Sequence, residues 1–150
     1  MQANSAHLKG LTLIELLLVI AIISVLVIPL LLTYQGYRTS QALLASAEAV
    51  ANHARSAHVF AREARNSREW GIKSINNYQY SIYSLGASGE RLEYNYFLEN
   101  RVFFVNDFNV LFKIGTGETD SNFDVELVNT NGSKAQVKIS KFGLVEVLRE

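Results

Sequence analysis

Cysteine is absent from the 150 residues of this chain, and proline, methionine and tryptophan each occur once. Without cysteine the chain can form neither a disulfide framework nor a thiolate metal site. Histidine is also scarce, with three residues, one of them near the N terminus. No serine, histidine and acid set stands out at a spacing that suggests nucleophilic catalysis. We therefore predict no enzyme, no catalytic residue, no metal site and no cofactor.

The chain has no excess charge of either sign, because 14 basic residues balance 14 acidic ones. No global field therefore attracts nucleic acid or anionic lipid. Locally the charge is uneven: residues 38–73 carry six basic and three acidic side chains, and residues 74–126 carry three basic and eight acidic. The first stretch is mildly basic and the second is acidic.

One long apolar run lies near the N terminus. From Leu16 to Leu32 only Ser24 and Pro29 interrupt it. About 20 apolar residues span a bilayer, so this run qualifies as a membrane helix. A secretory signal peptide would be shorter and followed by small residues, so we expect no cleavage after the run. We also expect a kink near Pro29, because proline removes a helical hydrogen bond.

Glu15 is the anomaly of this segment, since an ionised carboxylate at mid-membrane depth costs about 2.5 to 3.5 kcal/mol on insertion scales. In one explanation the helix macrodipole stabilises an anion in the first turn by roughly 0.3 to 1 kcal/mol. In the other, the chain is cut after Gly10, and the new amine on Leu11 of the same or a neighbouring chain becomes the partner of Glu15. The charge alone leaves both explanations open.

The stretch G-L-T-L-I-E-L, from Gly10 to Leu16, resembles the cleavage and methylation motif of type IV prepilins and type II secretion pseudopilins. A short leader ending in Lys-Gly, a glutamate five residues past the glycine and a long apolar helix carry the resemblance. It implies that a membrane prepilin peptidase cuts after Gly10 on the cytoplasmic side and methylates the amine of Leu11. It also implies that Glu15 acts in subunit assembly. The chain has leucine at position 11, where the family usually has phenylalanine.

The stretch from Arg38 to Arg65 is rich in alanine and strong helix formers, and we predict that this helix ends near residues 66–69. Small residues recur at steps of three and four and mark one helix face that can lie close against a sheet: Ala47, Val50, Ala54, Ala57, Ala61 and Ala64. A neighbouring stripe carries Arg55, His58, Arg62 and Arg65. This stripe is a solvated flank, a contact with the next subunit or a nucleic-acid contact.

Aromatic and β-branched runs separated by Gly, Asn and Ser clusters follow the helix and predict strands. We expect them over residues 78–85, 92–97, 102–105, 110–114, 123–128, 135–140 and 144–148. Asn131-Gly132 is a strong hairpin signal, although Asn131-Gly132-Ser133 also fits a glycosylation acceptor. A long helix followed by strands predicts an α+β fold with the helix packed on an antiparallel sheet.

Two further motifs are weaker. Gly115-Thr116-Gly117 begins like a phosphate loop, but the lysine and the following helix are missing, so we interpret it as a turn. Residues 120–126 resemble the opening of a calcium loop, but they lack its glycine and its bidentate glutamate. We interpret this segment as a solvated turn that leads into a strand, with a calcium site as the alternative.

The order of elements, with Trp70-Gly71-Ile72 opening the β region and Phe142-Gly143-Leu144-Val145 near its end, is similar to that of H-type minor pseudopilins and related minor pilins. The resemblance implies four segments. They are a cleaved leader (1–10), a transmembrane and filament-core helix (11–34), an amphipathic continuation (35–69) and a β-rich periplasmic or extracellular domain (70–150).

The function implied by the resemblance is that of a structural, minor subunit of a type IV pilus or type II secretion pseudopilus. Its partners would be the prepilin peptidase, other subunits, an inner-membrane assembly platform and, before assembly, membrane lipid. The chain would cross the bacterial inner membrane once, with its short N terminus in the cytoplasm. One alternative is a DNA-binding minor pilin used in DNA uptake. Its contacts would be the stripe from Arg55 to Arg68, with Arg62 and Arg65, or the C-terminal residues Lys134, Lys138, Lys141 and Arg149. The other alternative is a single-pass anchored enzyme.

We predict that Glu15→Ala leaves processing after Gly10 intact but impairs incorporation into a filament, because the carboxylate no longer meets the amine of a neighbour. Immunoblotting of membranes and of sheared filaments measures both steps. Normal incorporation of the variant would contradict the assigned role.

Overall fold

The computed structural model describes residues 12–149, apart from the side chains of Ile28, Leu30 and Leu32. The predicted cleavage site, Gly10 and Leu11, lies outside the described residues. Helix α1 spans Leu13–Arg62 and a short 3-10 helix spans Arg65–Ser67. Eight strands follow: β1 (Glu69–Asn76), β2 (Gln79–Gly86), β3 (Gly89–Phe97), β4 (Val102–Phe104), β5 (Asn109–Phe112), β6 (Phe123–Asn129), β7 (Lys134–Ile139) and β8 (Val145–Arg149).

The contacts divide the chain into two units, Met1–Gly36 and Tyr37–Glu150. In the described part of the first unit the backbone is helical on both sides of Pro29, and the Thr33 hydroxyl donates to the Pro29 carbonyl at 2.9 Å. The kink near Pro29 stays a prediction. Among the described residues, no helix has both the length and the apolar character that crossing a membrane requires.

Two four-stranded antiparallel sheets form the β region of the second unit, where a single sheet was expected. Their strand orders are β3-β2-β1-β5 and β4-β6-β7-β8. The predicted α+β fold is confirmed, and seven of the predicted strands correspond to β2 through β8. Strand β1 was expected only as the start of the β region at Trp70. Its glycine, lysine and serine residues weaken the strand signal, but β1 pairs on both sides, with β2 and β5.

The small-residue face of α1 is the centre of the core. Its buried members are 0% exposed: Ala47, Val50, Ala51, Ala54, Ala57 and Ala61. They belong to one apolar cluster with residues from both sheets, such as Ile72 and Phe112 from the first and Leu127 and Val137 from the second. Alanine leaves room for both sheets to approach the helix backbone closely.

The end of the helix differs from the sequence prediction. Helix α1 ends at Arg62, a few residues early, and Ala64 adopts a left-handed conformation with φ 50°. Ala64 was expected on the buried face, and this was wrong, because Ala64 lies beyond the helix end and is exposed. The Trp70 indole N–H donates to the Arg65 carbonyl at 3.0 Å and so ties the connection to the start of β1.

Overpacking of the alanine face should destabilise the second unit. We expect Ala54→Leu to lower the free energy of unfolding by about 1 to 3 kcal/mol, because the added methylenes have no space against the sheets. Ala45→Leu on the exposed side of the same helix is the matched control and should change stability little. Urea unfolding of the full chain in detergent compares the two, and equal effects would contradict the close packing of this face.

Candidate assembly site

Glu15 lies in the first turn of α1 and is held by Thr12, the residue that precedes the helix. One carboxylate oxygen, Oε2, accepts from the Thr12 backbone N–H and from the Thr12 hydroxyl, each at 3.1 Å. In return, the Glu15 backbone N–H donates to Thr12 Oγ1 at 3.3 Å. This reciprocal arrangement is a capping box, in which two otherwise unpaired helix-terminal donors are satisfied.

The capping box could have been found in the sequence, because Thr-x-x-Glu ahead of an apolar run is its signature. The sequence reasoning considered only the macrodipole and an intermolecular amine. The structure adds a third contribution, a local partner that satisfies part of the carboxylate within its own chain. A carboxylate offers about four lone-pair positions, so capacity remains for a second donor such as an ammonium group.

The helix around Glu15 is apolar on every side. The large apolar side chains between Leu13 and Val27 are all exposed in the structure of this unit, from 41% for Val27 to 78% for Leu13. A helix that is apolar all round is stable only when lipid or other helices cover it. Glu15 is the one charged residue between Thr12 and Tyr37. Glu15 is therefore a single carboxylate on an apolar helix whose surface must be buried by lipid or by other helices.

The three arginines proposed as DNA or subunit contacts have different surroundings. The Arg55 guanidinium donates to the Asn52 side chain at 2.7 Å and to the Val145 carbonyl at 2.9 Å. The Arg65 guanidinium lies 4.4 Å from the centre of the Phe60 ring. Arg62 is exposed, and its stem lies against Gly117. Arg55 and Arg65 thus contribute to the fold, and DNA binding by this stripe stays an untested alternative.

The two histidines of the described helix are packing residues. His53 stacks on Tyr96 with ring centres 3.7 Å apart, and its Nδ1 lies 2.8 Å from the Tyr80 hydroxyl. Burial lowers the pKa of His53 below its usual value and raises that of Tyr80. Burial, and then the nearby Arg62 charge, lower the pKa of His58. In both cases the lowered pKa favours the neutral imidazole over the protonated one.

His58 is also clamped by two glycines that come from different loops. Gly117 and Gly143 have φ of +72° and +80°, a region that favours glycine. A Cβ at Gly117 would lie 2.6 Å from His58, and a Cβ at Gly143 would lie even closer to the same ring. This clamp fixes the β5–β6 loop and the β7–β8 turn against the end of α1.

The weaker motifs take the form of turns. Gly115 and Gly117 lie in the β5–β6 loop, and the Gly115 N–H donates to the Ala61 carbonyl at 2.9 Å. In the segment that resembles a calcium loop, Asp120 pairs with Lys113 at 2.8 Å. The Lys113 ammonium group is thus a cationic partner for Asp120 within the chain itself, and its contact lowers the pKa of Asp120. No group of three or more metal-ligating side chains occurs among residues 12–149. Asn131 and Gly132 form the β6–β7 hairpin turn.

The described chain thus combines an apolar N-terminal helix, which carries a capped glutamate, with an α+β unit built on the same helix. The comparisons with known proteins agree: residues 7–31 match the family model described as "Prokaryotic N-terminal methylation motif". This match includes the predicted cleavage site and Glu15. No curated protein matches the chain.

Among solved structures, the chain is similar to the minor pseudopilin EpsH from the type 2 secretion system of Vibrio cholerae. The identity is 11%, the match covers 71% of this chain and 96% of that chain, and the TM-score is 0.57. At this identity the likeness establishes the fold. The motif and the fold together confirm the predicted resemblance to type IV pilins and pseudopilins, including the H-type minor pseudopilins.

The capping box predicts a role for Thr12 in holding Glu15. We expect Thr12→Val to weaken the helix N terminus by about 1 kcal/mol, because a cap of this kind is lost, and to lower the fraction of chains that enter filaments. Thr12→Ser retains the hydroxyl and is the matched control. The measured quantity is the ratio of sheared-filament to membrane protein. Equal ratios for the valine and serine variants would show that the hydroxyl has no part in assembly.

The glycine clamp predicts a large cost for a side chain at Gly143. We expect Gly143→Ala to cost about 1 to 2 kcal/mol for the left-handed conformation and about 1 to 3 kcal/mol more for the clash with His58. Gly132→Ala has a similar φ of +82° but open space around it, so only the first cost should apply. Urea unfolding measures both. Equal losses in the two variants would contradict the clamp.

Proposed function

We propose that the chain is a structural, minor subunit of a type IV pilus or type II secretion pseudopilus, with no enzymatic activity of its own. It is synthesised with a leader of residues 1–10, cut after Gly10 by the prepilin peptidase and methylated on the amine of Leu11. The mature helix then enters a helical filament with other subunits. The observation that carries the proposal is the capped Glu15 carboxylate on an apolar helix within the matched motif.

Before assembly, membrane lipid would surround the apolar segment. This part of the proposal rests on the sequence from Leu11 to Leu32, which includes residues outside the described ones. The chain would cross the bacterial inner membrane once, with its leader in the cytoplasm and its β region outside, next to the assembly platform. Replacement of lipid by neighbouring helices then retains an apolar environment around the helix.

Glu15 would set the register of an incoming subunit. Thr12 satisfies part of its carboxylate within the chain, which lowers the cost of placing the charge in an apolar environment. The remaining lone pairs can accept the ammonium of a neighbour's Leu11, and such a pair is favourable only when its geometry is good. A subunit is therefore most stable at the position where amine and carboxylate meet. The proposed role of Glu15 is therefore in subunit assembly.

The test is the mass and the N-terminal residue of the protein isolated from the membranes of its host. We expect a mature chain that begins at a methylated Leu11, and an unprocessed chain in cells that lack prepilin peptidase. Gly10→Val, which places a side chain at the cleavage site, is the control that should abolish processing. An intact Met1 in wild-type membranes would overturn the proposal and would favour an ordinary anchored protein.

A further inference from the structure

The end of the second unit at Tyr37 is organised by Asn129, which is buried. The Asn129 side-chain oxygen accepts from the Asn131 and Ser133 backbone N–H groups at 3.0 and 2.9 Å. The Asn129 amide nitrogen donates to the Thr39 carbonyl at 3.4 Å. The β6–β7 turn is therefore fixed against the part of α1 that follows Tyr37.

Three exposed cations surround this contact between turn and helix. Arg38 directly precedes Thr39 in α1, and Lys134 follows the turn as the first residue of β7. The Arg101 carbonyl accepts from the N–H of Thr130, which belongs to the turn, at 3.1 Å. All three cationic residues are exposed. We refer to Arg38, Arg101 and Lys134 as the basic end.

One carboxylate contacts the basic end. Glu126 lies 4.0 Å from the Lys134 ammonium, and the two side chains are 38% and 50% exposed, so this ion pair is weak. Arg149 is followed by Glu150, which lies outside the described residues, and the basic end is therefore defined without Arg149.

Other acidic side chains lie further along the second unit. The Glu99 N–H donates to the Ser46 hydroxyl at 3.0 Å, and Ser46 is about 10 Å of helix beyond Thr39. Glu48 is exposed and lies about 13 Å of helix beyond Thr39. Among the described residues, the basic end retains a net positive charge with Glu126 counted.

Arg101 occupies a backbone position that does not favour arginine. Its φ is 69°, in the left-handed region that glycine and asparagine adopt most readily. Within residues 12–149 its guanidinium has no hydrogen bond and no ion pair that would offset this strain. Strained backbone conformations concentrate at functional positions. We therefore looked for a partner of the Arg101 side chain outside the described fold.

Chain connectivity keeps the basic end near the apolar run. Tyr37 follows Leu32, the last residue of that run, by five positions, and five residues span at most about 18 Å in any conformation. Tyr34 and Tyr37 are 57% and 62% exposed. Tyrosine is enriched at membrane–water interfaces, where its ring lies at the level of the lipid headgroups. Two such residues therefore separate the apolar run from the basic end.

We propose that, before assembly, the basic end contacts the phosphates of anionic phospholipids at the outer surface of the membrane that holds the apolar run. Cations close to such a surface are attracted to it, and the attraction decays within a Debye length of about 10 Å. Because the apolar run already anchors the chain, this second contact is intramolecular, so a few cations are enough for it to form. The inference rests on the proposed insertion of the apolar segment into lipid and adds a second membrane contact.

Nucleic acid is the other polyanion that three cations could bind. The position of the basic end disfavours it. An anionic membrane surface repels nucleic acid, and chain connectivity keeps the basic end close to that surface. Lipid phosphate is the polyanion already within reach.

The absence of cysteine allows a direct test in the full chain, reconstituted in vesicles of phosphatidylcholine alone or in an equal mixture with phosphatidylglycerol. Thr130→Cys places one fluorophore on the exposed turn beside Arg101. A lipid with a nitroxide on its headgroup quenches a fluorophore at the membrane surface. We expect stronger quenching in the mixed vesicles, and high salt should remove the difference. Phe142→Cys is the matched probe at the β7–β8 turn, and its quenching should not depend on phosphatidylglycerol.

Removal of one cation tests the electrostatic contact. Arg101→Asn should lower the ratio of docked to undocked chains about five-fold, and it should not unfold the protein, because asparagine tolerates the left-handed conformation. Arg101→Lys retains the charge and should retain the quenching. Lys141→Gln removes an exposed cation at the β7–β8 turn and is the matched control without effect.

Four results would overturn the proposal. One is quenching at Thr130→Cys that is absent or independent of phosphatidylglycerol. Another is equal quenching with Arg101 and with Arg101→Asn. The third is quenching that rises with the number of chains per vesicle and not with phosphatidylglycerol, which would indicate a neighbouring protein. The fourth is binding of DNA that Arg101→Asn abolishes while quenching stays unchanged.

The two proposals fail in distinguishable ways. If Leu11 is methylated and the chain enters filaments but quenching does not depend on phosphatidylglycerol, only the lipid contact of the basic end is wrong. If the chain keeps Met1, the filament function is wrong, and the same probes in vesicles still report whether the basic end contacts anionic lipid.

Discussion

Close approach of helix α1 to two sheets is the constraint on which the rest of the structure depends. Between Ala47 and Ala61 the fully buried face of the helix is built from alanine with one valine. Small side chains let the strands lie near the helix backbone, so a single helix can serve as the core for both sheets. Loops that extend from the sheets then reach the helix end, where the glycine clamp closes around His58.

The same helix has two different environments. In the second unit one face of α1 is satisfied by the protein's own sheets. In the described part of the first unit the large apolar side chains from Leu13 to Val27 are exposed. Glu15 lies in the first turn of this helix. The capping box satisfies part of its carboxylate locally and leaves capacity for a second hydrogen-bond donor.

The arginine stripe of Arg55, Arg62 and Arg65 is less available for binding a partner than the sequence suggests. Arg55 and Arg65 have partners within the fold, a carbonyl of β8 in one case and aromatic rings in the other. Apart from Tyr37, the most exposed large apolar side chains of the second unit are Phe142 and Leu144 at the β7–β8 turn and Phe97 at the end of β3. Large exposed apolar side chains on a rigid surface are typical of contact sites. The surface of the second unit thus includes large exposed apolar side chains as well as a balanced set of charges.

The sequence by itself determined the features that depend on local patterns. Periodic alanine identified the buried helix face, and alternating β-branched residues identified seven strands. The stretch from Gly10 to Leu16 indicated the N-terminal methylation motif that the family model matches. Strand β1 was missed as a full strand, because its residues favour a strand only when β2 and β5 pair with it. The two-sheet arrangement, the early helix end and the clamp on His58 also required the tertiary structure. Each of them depends on contacts between residues far apart in the sequence, and local patterns do not encode such contacts.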